Sequence, residues 1–257
     1  MIGIINLTPD SFSDGGDQFL PQKALKKALQ MEQDGATILD LGAESSRPGH
    51  QIISSEEEIA RLIPALKCIV SQTTAVLSVD TWKHDVASAA LSEGANIIND
   101  IYGLKKDPLL AETIASYDAG VIIMHNQDHK DYPEGIPSQI VSSLQESIDI
   151  ALRAGIDKNK ILLDPGIGFG KTPDQNITLM GQLSELSVLG YPLLLGASRK
   201  SMIGSIVNVP PKERLPGTIA ATVLGIIQGY EFFRVHDVAE NRQAALFTDA
   251  VVRRSYG

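Results

Sequence analysis

Eight short apolar runs, spaced along 257 residues, constrain this chain more than any other feature. They occupy residues 2–5, 37–41, 75–79, 96–98, 121–124, 161–163, 192–195 and 232–235. Each is short, continuously apolar and often β-branched, as expected of a parallel strand covered on both faces. Helical periods fall between them. Ile59, Leu62, Ile63, Leu66 and Val70 form one stripe, opened by a capping box at Ser55-x-x-Glu58. Ile140, Leu144, Ile148, Ala151 and Leu152 form another; Leu25, Ala28 and Leu29 mark the first helix, and Leu179, Leu183 and Leu186 the sixth. Gly35, Gly94, Gly120, Gly155 and Gly190 each follow a helical stretch just before a strand, where a glycine C-cap belongs. This alternation predicts a closed (β/α)8 TIM barrel, one α/β domain over 1–257. An open doubly wound sheet is the alternative the same pattern allows. Because the first run begins beside Met1, the N-terminal mouth is covered either by side chains alone or by a segment upstream of this start.

Composition excludes several partners. Lys and Arg number 22 against 31 Asp and Glu, a net charge of −9, which argues against a nucleic-acid surface. An acidic chain that binds an anion must use a local cluster of cations or a metal. The single cysteine, Cys68, rules out an intrachain disulfide framework and fits a reducing cytosol. No apolar run approaches the roughly 20 residues of a membrane span, and no basic, then apolar signal segment opens the chain. The expectation is a soluble, cytoplasmic protein that binds neither nucleic acid nor membrane.

The polar residues that end the runs carry the chemistry. Asp80 ends the third, Asn99 and Asp100 the fourth, and Asp164 the sixth. In a barrel these ends converge on one C-terminal face. Two acids and an amide in one concave pocket suit a flat heterocycle rich in N–H donors. Asp100 reads better as a cap. The stretch Gly166-Ile-Gly-Phe-Gly-Lys-Thr172 fails the P-loop spacing, since Pro165 stands where its first glycine is needed. It reads as a turn whose glycines let backbone approach a ligand, with Phe169 available to stack. Ser198-Arg-Lys-Ser201 leaves the seventh run with two cations. Arg234 and His236 share a face of the eighth by period two, where barrel phosphate sites often lie. The bland alternative is an Arg–Asp pair that orders the surface. Two loops are rich in hydroxyls, charges, Gly and Pro: 6–16 after the first run, and 44–50, bearing Arg47, after the second. His125 and His129 have a zinc-like i, i+4 spacing but sit in a loop-like context. His84 and His50 read as surface or cap residues, and Tyr102, Trp82 and Cys68 as packing.

At these residues the chain resembles the dihydropteroate synthase family over nearly its whole length. The resemblance rests on NLTPDSFSDGG (6–16), ESSRPG (44–49), SVDT (78–81), IND (98–100), DPGIGFGK (164–171), GASRKS (196–201) and RVHD (234–237). Any one motif is weak; seven in register are specific. The resemblance implies condensation of 6-hydroxymethyl-7,8-dihydropterin diphosphate with 4-aminobenzoate, giving dihydropteroate and diphosphate for folate synthesis. It implies pterin-edge contacts from Asp80, Asn99, Asp164 and Lys200, with Met124 and Phe169 packing the ring. Asn6, Arg234 and His236 would hold the diphosphate, Asn6 also touching Mg²⁺. Phe12, Ser46, Arg47, Pro48 and Ser201 would shape the aminobenzoate pocket. Asp10 and Asp14 lie in the first loop, Asp14 better placed to order it around metal-bound diphosphate. Asp80, Asp164, Lys200 and Asp14 are thus the catalytic candidates. Ala43 and Ser46 depart from a common glycine and threonine beside the aminobenzoate loop. The family also implies a homodimer through barrel helices.

The implied mechanism is a dissociative substitution. Mg²⁺, Arg234 and His236 would neutralise the departing diphosphate while Asp164 and Asp80 favour a cationic pterin. Two rivals stand beside it. A methyltetrahydrofolate methyltransferase with a corrinoid partner shares the pterin grip but has no use for a diphosphate clamp. A non-catalytic paralogue that binds pterin has no need of the first loop or Lys200.

Overall fold

The computed structural model describes residues 1–8, 20–45 and 52–252. The expectations for Asp10, Phe12, Asp14, Ser46, Arg47, Pro48 and His50 lie outside those residues. Eight strands run β1 Ile2–Asn6, β2 Ile38–Gly42, β3 Val76–Asp80, β4 Ile97–Asp100, β5 Gly120–Met124, β6 Ile161–Asp164, β7 Leu194–Leu195 and β8 Phe232–Val235. All pair in parallel, in the order β6-β5-β4-β3-β2-β1-β8-β7. A parallel bridge between Leu163 and Leu193 joins the two edges, with Leu163 N–H donating to the Pro192 carbonyl at 3.1 Å. The sheet is therefore a barrel, not an open doubly wound sheet.

Helices wrap it: α1 Leu20–Gln33, α2 Ser55–Val70, α3 His84–Ser92, α4 Leu110–Ser116, α5 Ile136–Ala154, α6 Pro173–Gly181, α7 Ser201–Val207, α8 Leu215–Ile227 and α9 Val238–Val252. The period of two divides each strand between lumen and helices. Leu39, Leu41, Leu77, Val79, Ile98, Ile123, Leu163, Leu195 and Phe233 belong to the large core beneath the helices. Burial of each such side chain is worth about 1.5–3 kcal/mol. Ile2, Ile38, Ile122, Leu162 and Leu194 form a second cluster, with Ile97 and Phe232 against it, and these side chains fill the barrel floor. Above that floor the ladder Ile4, Asp40, Ser78 and the ladder Asn6, Gly42, Asp80, Asn99 turn the lumen polar.

The structure corrects several local expectations. The N-cap of α2 is Ser54, whose Oγ accepts from Glu57 N–H at 3.3 Å, while the Glu58 carboxylate turns to Lys83. Gly35, Gly94, Gly155 and Gly190 adopt the positive φ of a cap, but Gly120 opens β5 and Asp118 (φ 52°) takes the left-handed position instead. The stripe Leu179, Leu183, Leu186 is buried but not one helix, since α6 ends at Gly181 and Leu183–Leu189 is 3-10. Nor are the second and third strands continuously apolar: fully buried Asp40 and Ser78 interrupt them.

Candidate active site

Asp40 organises the lumen. It accepts from Ser78 Oγ at 2.6 Å, Asn99 Nδ2 at 3.1 Å and Arg234 Nε at 2.6 Å. Arg234 Nη2 also donates to Asp80 at 2.9 Å, so one guanidinium from β8 bridges carboxylates from β2 and β3. Burial alone would lower the Arg234 pKa, but Asp40 and then Asp80 outweigh it and hold it up. Asp80 goes the other way. Burial first, and the charge of Asp40 with it, push its carboxyl up to about 7 despite Arg234. For a directly paired acid that direction is unusual; it follows from two carboxylates sharing one cation. Asp40 collects three donors and Asp80 one, so Asp80 is the less satisfied carboxylate of the two.

Across the lumen, Asp164 lies beside Met124 in the β5–β6 ladder and accepts from Gly166 N–H at 2.7 Å. Burial raises its carboxyl pKa against the pull of Lys200 and Arg234. A Cβ on Gly196 would stand 3.2 Å from Asp164 Oδ2, so the absent side chain leaves that face of the carboxylate open. Lys200 donates to the Ile167 carbonyl at 2.7 Å, and its Nζ lies 4.2 Å from the Phe169 ring centroid. Burial draws Lys200 down to about 8, with Asp164 opposing.

The rim nearest β7 and β8 is arranged for a neutral donor. His236 N–H donates to Ser198 Oγ at 3.2 Å, and the same Oγ is 3.0 Å from His236 Nδ1. A hydroxyl that gives its proton to Nδ1 would leave Nε2–H as the free donor of the ring. Burial, then Arg199, Arg234 and Lys27, push His236 down to about 3, so it enters as neutral imidazole. The surface-ordering Arg–Asp pair is Arg199 with Asp237, at 3.0 Å from Nε. Arg234 is not part of it. Asn6 ends β1 half-buried, in register with Gly42 and, through it, Asp80.

The structure thus gathers Asp80, Asn99, Met124, Asp164, Phe169, Lys200 and Arg234 at one end of the lumen, with Asn6 and His236 at strand ends of the same rim. Ser201 is exposed at the first residue of α7. The geometry places Arg234 among the pterin-edge candidates as much as beside His236. Asp100 caps, but a turn and not a helix, accepting from the amides of Tyr102 and Leu104 at 2.8 and 2.6 Å. Trp82 and Tyr102 do more than pack: Lys106 Nζ lies 4.0 and 3.8 Å from their ring centroids. His125 is buried against Lys171 while His129 is exposed, and no group of three or more His, Cys, Asp or Glu among the described residues could hold a metal. Sequence reasoning missed Asp40, Ser78 and Ser198. The available signal was Asp40 itself, a lone acid inside an otherwise apolar strand.

A profile of the family described as pterin binding enzymes matches residues 2–236. A curated relative from Clostridium beijerinckii, a dihydropteroate synthase, is 49% identical over 99% of this chain and 94% of its own. A crystal structure of the Clostridium difficile dihydropteroate synthase in the presence of pteroic acid superposes with a TM-score of 0.96 at 51% identity, covering 98% of this chain and 96% of that one. The Xanthomonas albilineans dihydropteroate synthase with 4-aminobenzoic acid gives 0.94 at 39% identity, covering 100% and 93%.

Proposed function

The chain belongs to the pterin-binding enzymes of the dihydropteroate synthase family, and from that membership we propose that it joins 6-hydroxymethyl-7,8-dihydropterin diphosphate to 4-aminobenzoate in folate biosynthesis. The observation that carries this reading is the lumen cluster of Asp40, Asp80 and Asp164 against Arg234 and Lys200. Three acids facing two cations suit a ring that presents N–H donors and gains positive charge. Asp80, Asn99 and Asp164 take the pterin edge, Lys200 its acceptor side, and Met124 and Phe169 its faces.

Asp40 anchors Arg234 through Nε, while Nη1 makes no bond among the described residues and is left for a phosphate oxygen. Neutral His236 adds its Nε2–H and Asn6 its amide. The fit to Mg²⁺ is that of an ion carried with the diphosphate. Asn6 offers one hard oxygen, whereas Asp40 and Asp80 are engaged by Arg234, and Mg²⁺ commonly keeps water and phosphate oxygens as its other ligands. Held there, the ion would supply positive charge beside the leaving oxygens. Phe12, Ser46, Arg47, Pro48 and Ser201 remain the candidates for the aminobenzoate pocket, and Asp14 for ordering the first loop.

The substitution is dissociative in this reading. The exocyclic C–O bond breaks and its electron pair leaves on diphosphate, while the carbon's charge spreads into the pterin beside Asp164 and Asp80. The arylamine lone pair then forms the C–N bond, and the amine proton passes to solvent or to diphosphate. An arylamine needs no strong base, in keeping with a site where His236 is neutral and turned toward phosphate. A second copy of the chain is the proposed partner. For a cytoplasmic setting the support is the lone cysteine and the lack of any described helix long and apolar enough to cross a membrane.

Turnover of dihydropterin diphosphate and 4-aminobenzoate with Mg²⁺ tests the whole reading, and methyl transfer from methyltetrahydrofolate tests its first rival. Replacing Asp164 with Asn keeps the shape but removes the charge that faces the pterin, and kcat is expected to fall about 100-fold. Near-normal turnover by that variant refutes the role given to Asp164.

A further inference from the structure

Lys171 bonds to no side chain assigned to substrate, yet it is a deeply buried cation, 6% exposed. Its Nζ donates to the carbonyls of Pro165, Gly166 and Phe169, each at 3.0 Å, and stands 3.0 Å from His125 Nδ1. Those carbonyls belong to the loop between β6 and α6. Within the same loop Ile167 turns its carbonyl to Lys200, and Phe169 places its ring under the Lys200 ammonium. The loop after β5 presses against it: a Cβ on Gly166 (φ +69°) would collide with the His125 carbonyl, and Tyr132 Oη donates to the Gly170 carbonyl at 3.0 Å.

We propose that Lys171 is a positioning residue for pterin binding, its ammonium drawing three loop carbonyls inward so that Phe169 and, through Ile167, Lys200 stand where the ring is received. The inference rests on the pterin reading of the site and goes beyond it. An ammonium has three N–H groups and meets three carbonyls. A neutral amine has two N–H groups and a lone pair; it can accept from a His125 Nδ1–H but must release one carbonyl. His125 suits the second state as a neutral ring, held down at about 3 by burial and then by Lys171 and Lys105. Burial draws Lys171 down to about 7, with Asp164 on β6 favouring the ammonium and Lys200 opposing it. The loop tie is therefore poised to loosen as pH rises.

Steady-state KM values for dihydropterin diphosphate and for 4-aminobenzoate, from pH 6 to 9, test this on the full chain. In Lys171→Met the pterin KM is expected to rise about tenfold over wild type at pH 6.5, with the ratio of variant to wild type shrinking as pH rises, while kcat and the aminobenzoate KM change less than about twofold. Lys171→Arg, charged throughout, is expected to restore the low-pH value and to show a smaller alkaline rise than the wild type, that of Lys200 remaining. An unchanged pterin KM and pH profile in Lys171→Met overturns the proposal. Should both variants misfold, His125→Phe decides by calorimetry with 6-hydroxymethylpterin. It keeps Lys171 but removes the Nδ1–H from which the neutral amine accepts, so the loss of affinity moves to higher pH; a midpoint that is unmoved or moves lower overturns the proposal. Absence of pterin binding by the wild-type chain overturns the functional reading instead, and this inference with it.

Discussion

Carboxylates inside a barrel lumen cost folding free energy unless cations and donors offset the loss of water, and here the offset is incomplete at Asp80. Its carboxyl titrates near 3.8 when unconstrained and about 7 in the fold. The folded state therefore holds a proton that the unfolded chain has lost across that window. Stability contributed by this group falls as pH rises from about 4 to about 7, and the penalty is complete above 7. Asp80→Asn removes the penalty while its amide oxygen can still accept from Arg234. The variant is expected to melt above the wild type at pH 8, with the difference shrinking toward pH 5, and to lose turnover. Thermal unfolding over that pH range measures it; a variant that melts lower at every pH would mean the Arg234 ion pair outweighs burial. Asp80, Asn99 and Asp164 were legible in the sequence because each stands where an apolar run stops. Asp40 was visible only as a lone acid within an apolar run, and its role needs the three donors from other strands that converge on it. Arg234 was legible as a cation at the rim, but not its bridge between two acids, which requires knowing that β8 pairs with β1 and so lies within reach of β2 and β3 beyond it.

At the scale of elements, a buried triad fixes how the second and third βα units meet. Lys83 Nζ, just before α3, donates to Glu44 at 2.6 Å, Glu58 of α2 at 2.7 Å and the Ile53 carbonyl at 2.8 Å. Glu44 also accepts from Trp82 Nε1 and Ile53 N–H, both at 3.1 Å. Burial raises the Glu58 carboxyl even against Lys83, so without its cation this acid becomes a liability. Lys83→Met is expected to cost about 3–5 kcal/mol in denaturant unfolding near neutral pH, because it strands two acids. Adding Glu58→Leu should recover part of that loss; a single variant within about 0.5 kcal/mol of wild type, as at an ordinary surface position, would show that water, not Lys83, serves these carboxylates. The same triad explains why the start of α2 was misread by one residue. Ser54 and Ser55 are equivalent to a capping pattern followed by three glutamates, and only the distant Lys83 claims Glu58. The sixth helix failed differently: Leu179, Leu183 and Leu186 satisfy burial whether the turn is α or 3-10. Gly120 failed because a glycine before a strand also serves the close approach of that strand's first residue to Ile97, 3.3 Å from its would-be Cβ.

For the whole molecule, alternation of strand and helix specified a parallel α/β sheet but could not decide closure, which depends on the short β7 pair Leu194–Leu195 and the single bridge from Leu163 to Leu193. Alternation also left open which outer helices remain uncovered. Leu224 and Ile227 on α8, with Leu246, Phe247 and Val251 on the adjoining α9, are large apolar side chains facing solvent, Phe247 at 73% exposure. The second copy proposed as partner would dock on such an apolar surface, and a self-complementary face would close as a two-fold dimer. Copies that each carry a net charge of −9 repel, so the apolar contact must overcome a long-range term that salt screens. The wild-type chain is accordingly expected to sediment at twice its 27.6 kDa mass at micromolar concentration, and to associate more tightly as ionic strength rises. Phe247→Asp puts a carboxylate on that face and is expected to raise the dimer dissociation constant at least about 100-fold. The substituted face is on outer helices, away from the lumen cluster, so turnover per chain at saturating substrate should stay within about twofold, a bound set by the lack of any shared contact with the site. A wild-type chain that sediments at 27.6 kDa throughout would refute the dimer, and a Phe247→Asp chain that dimerises as tightly as wild type would place the partner surface elsewhere on the barrel.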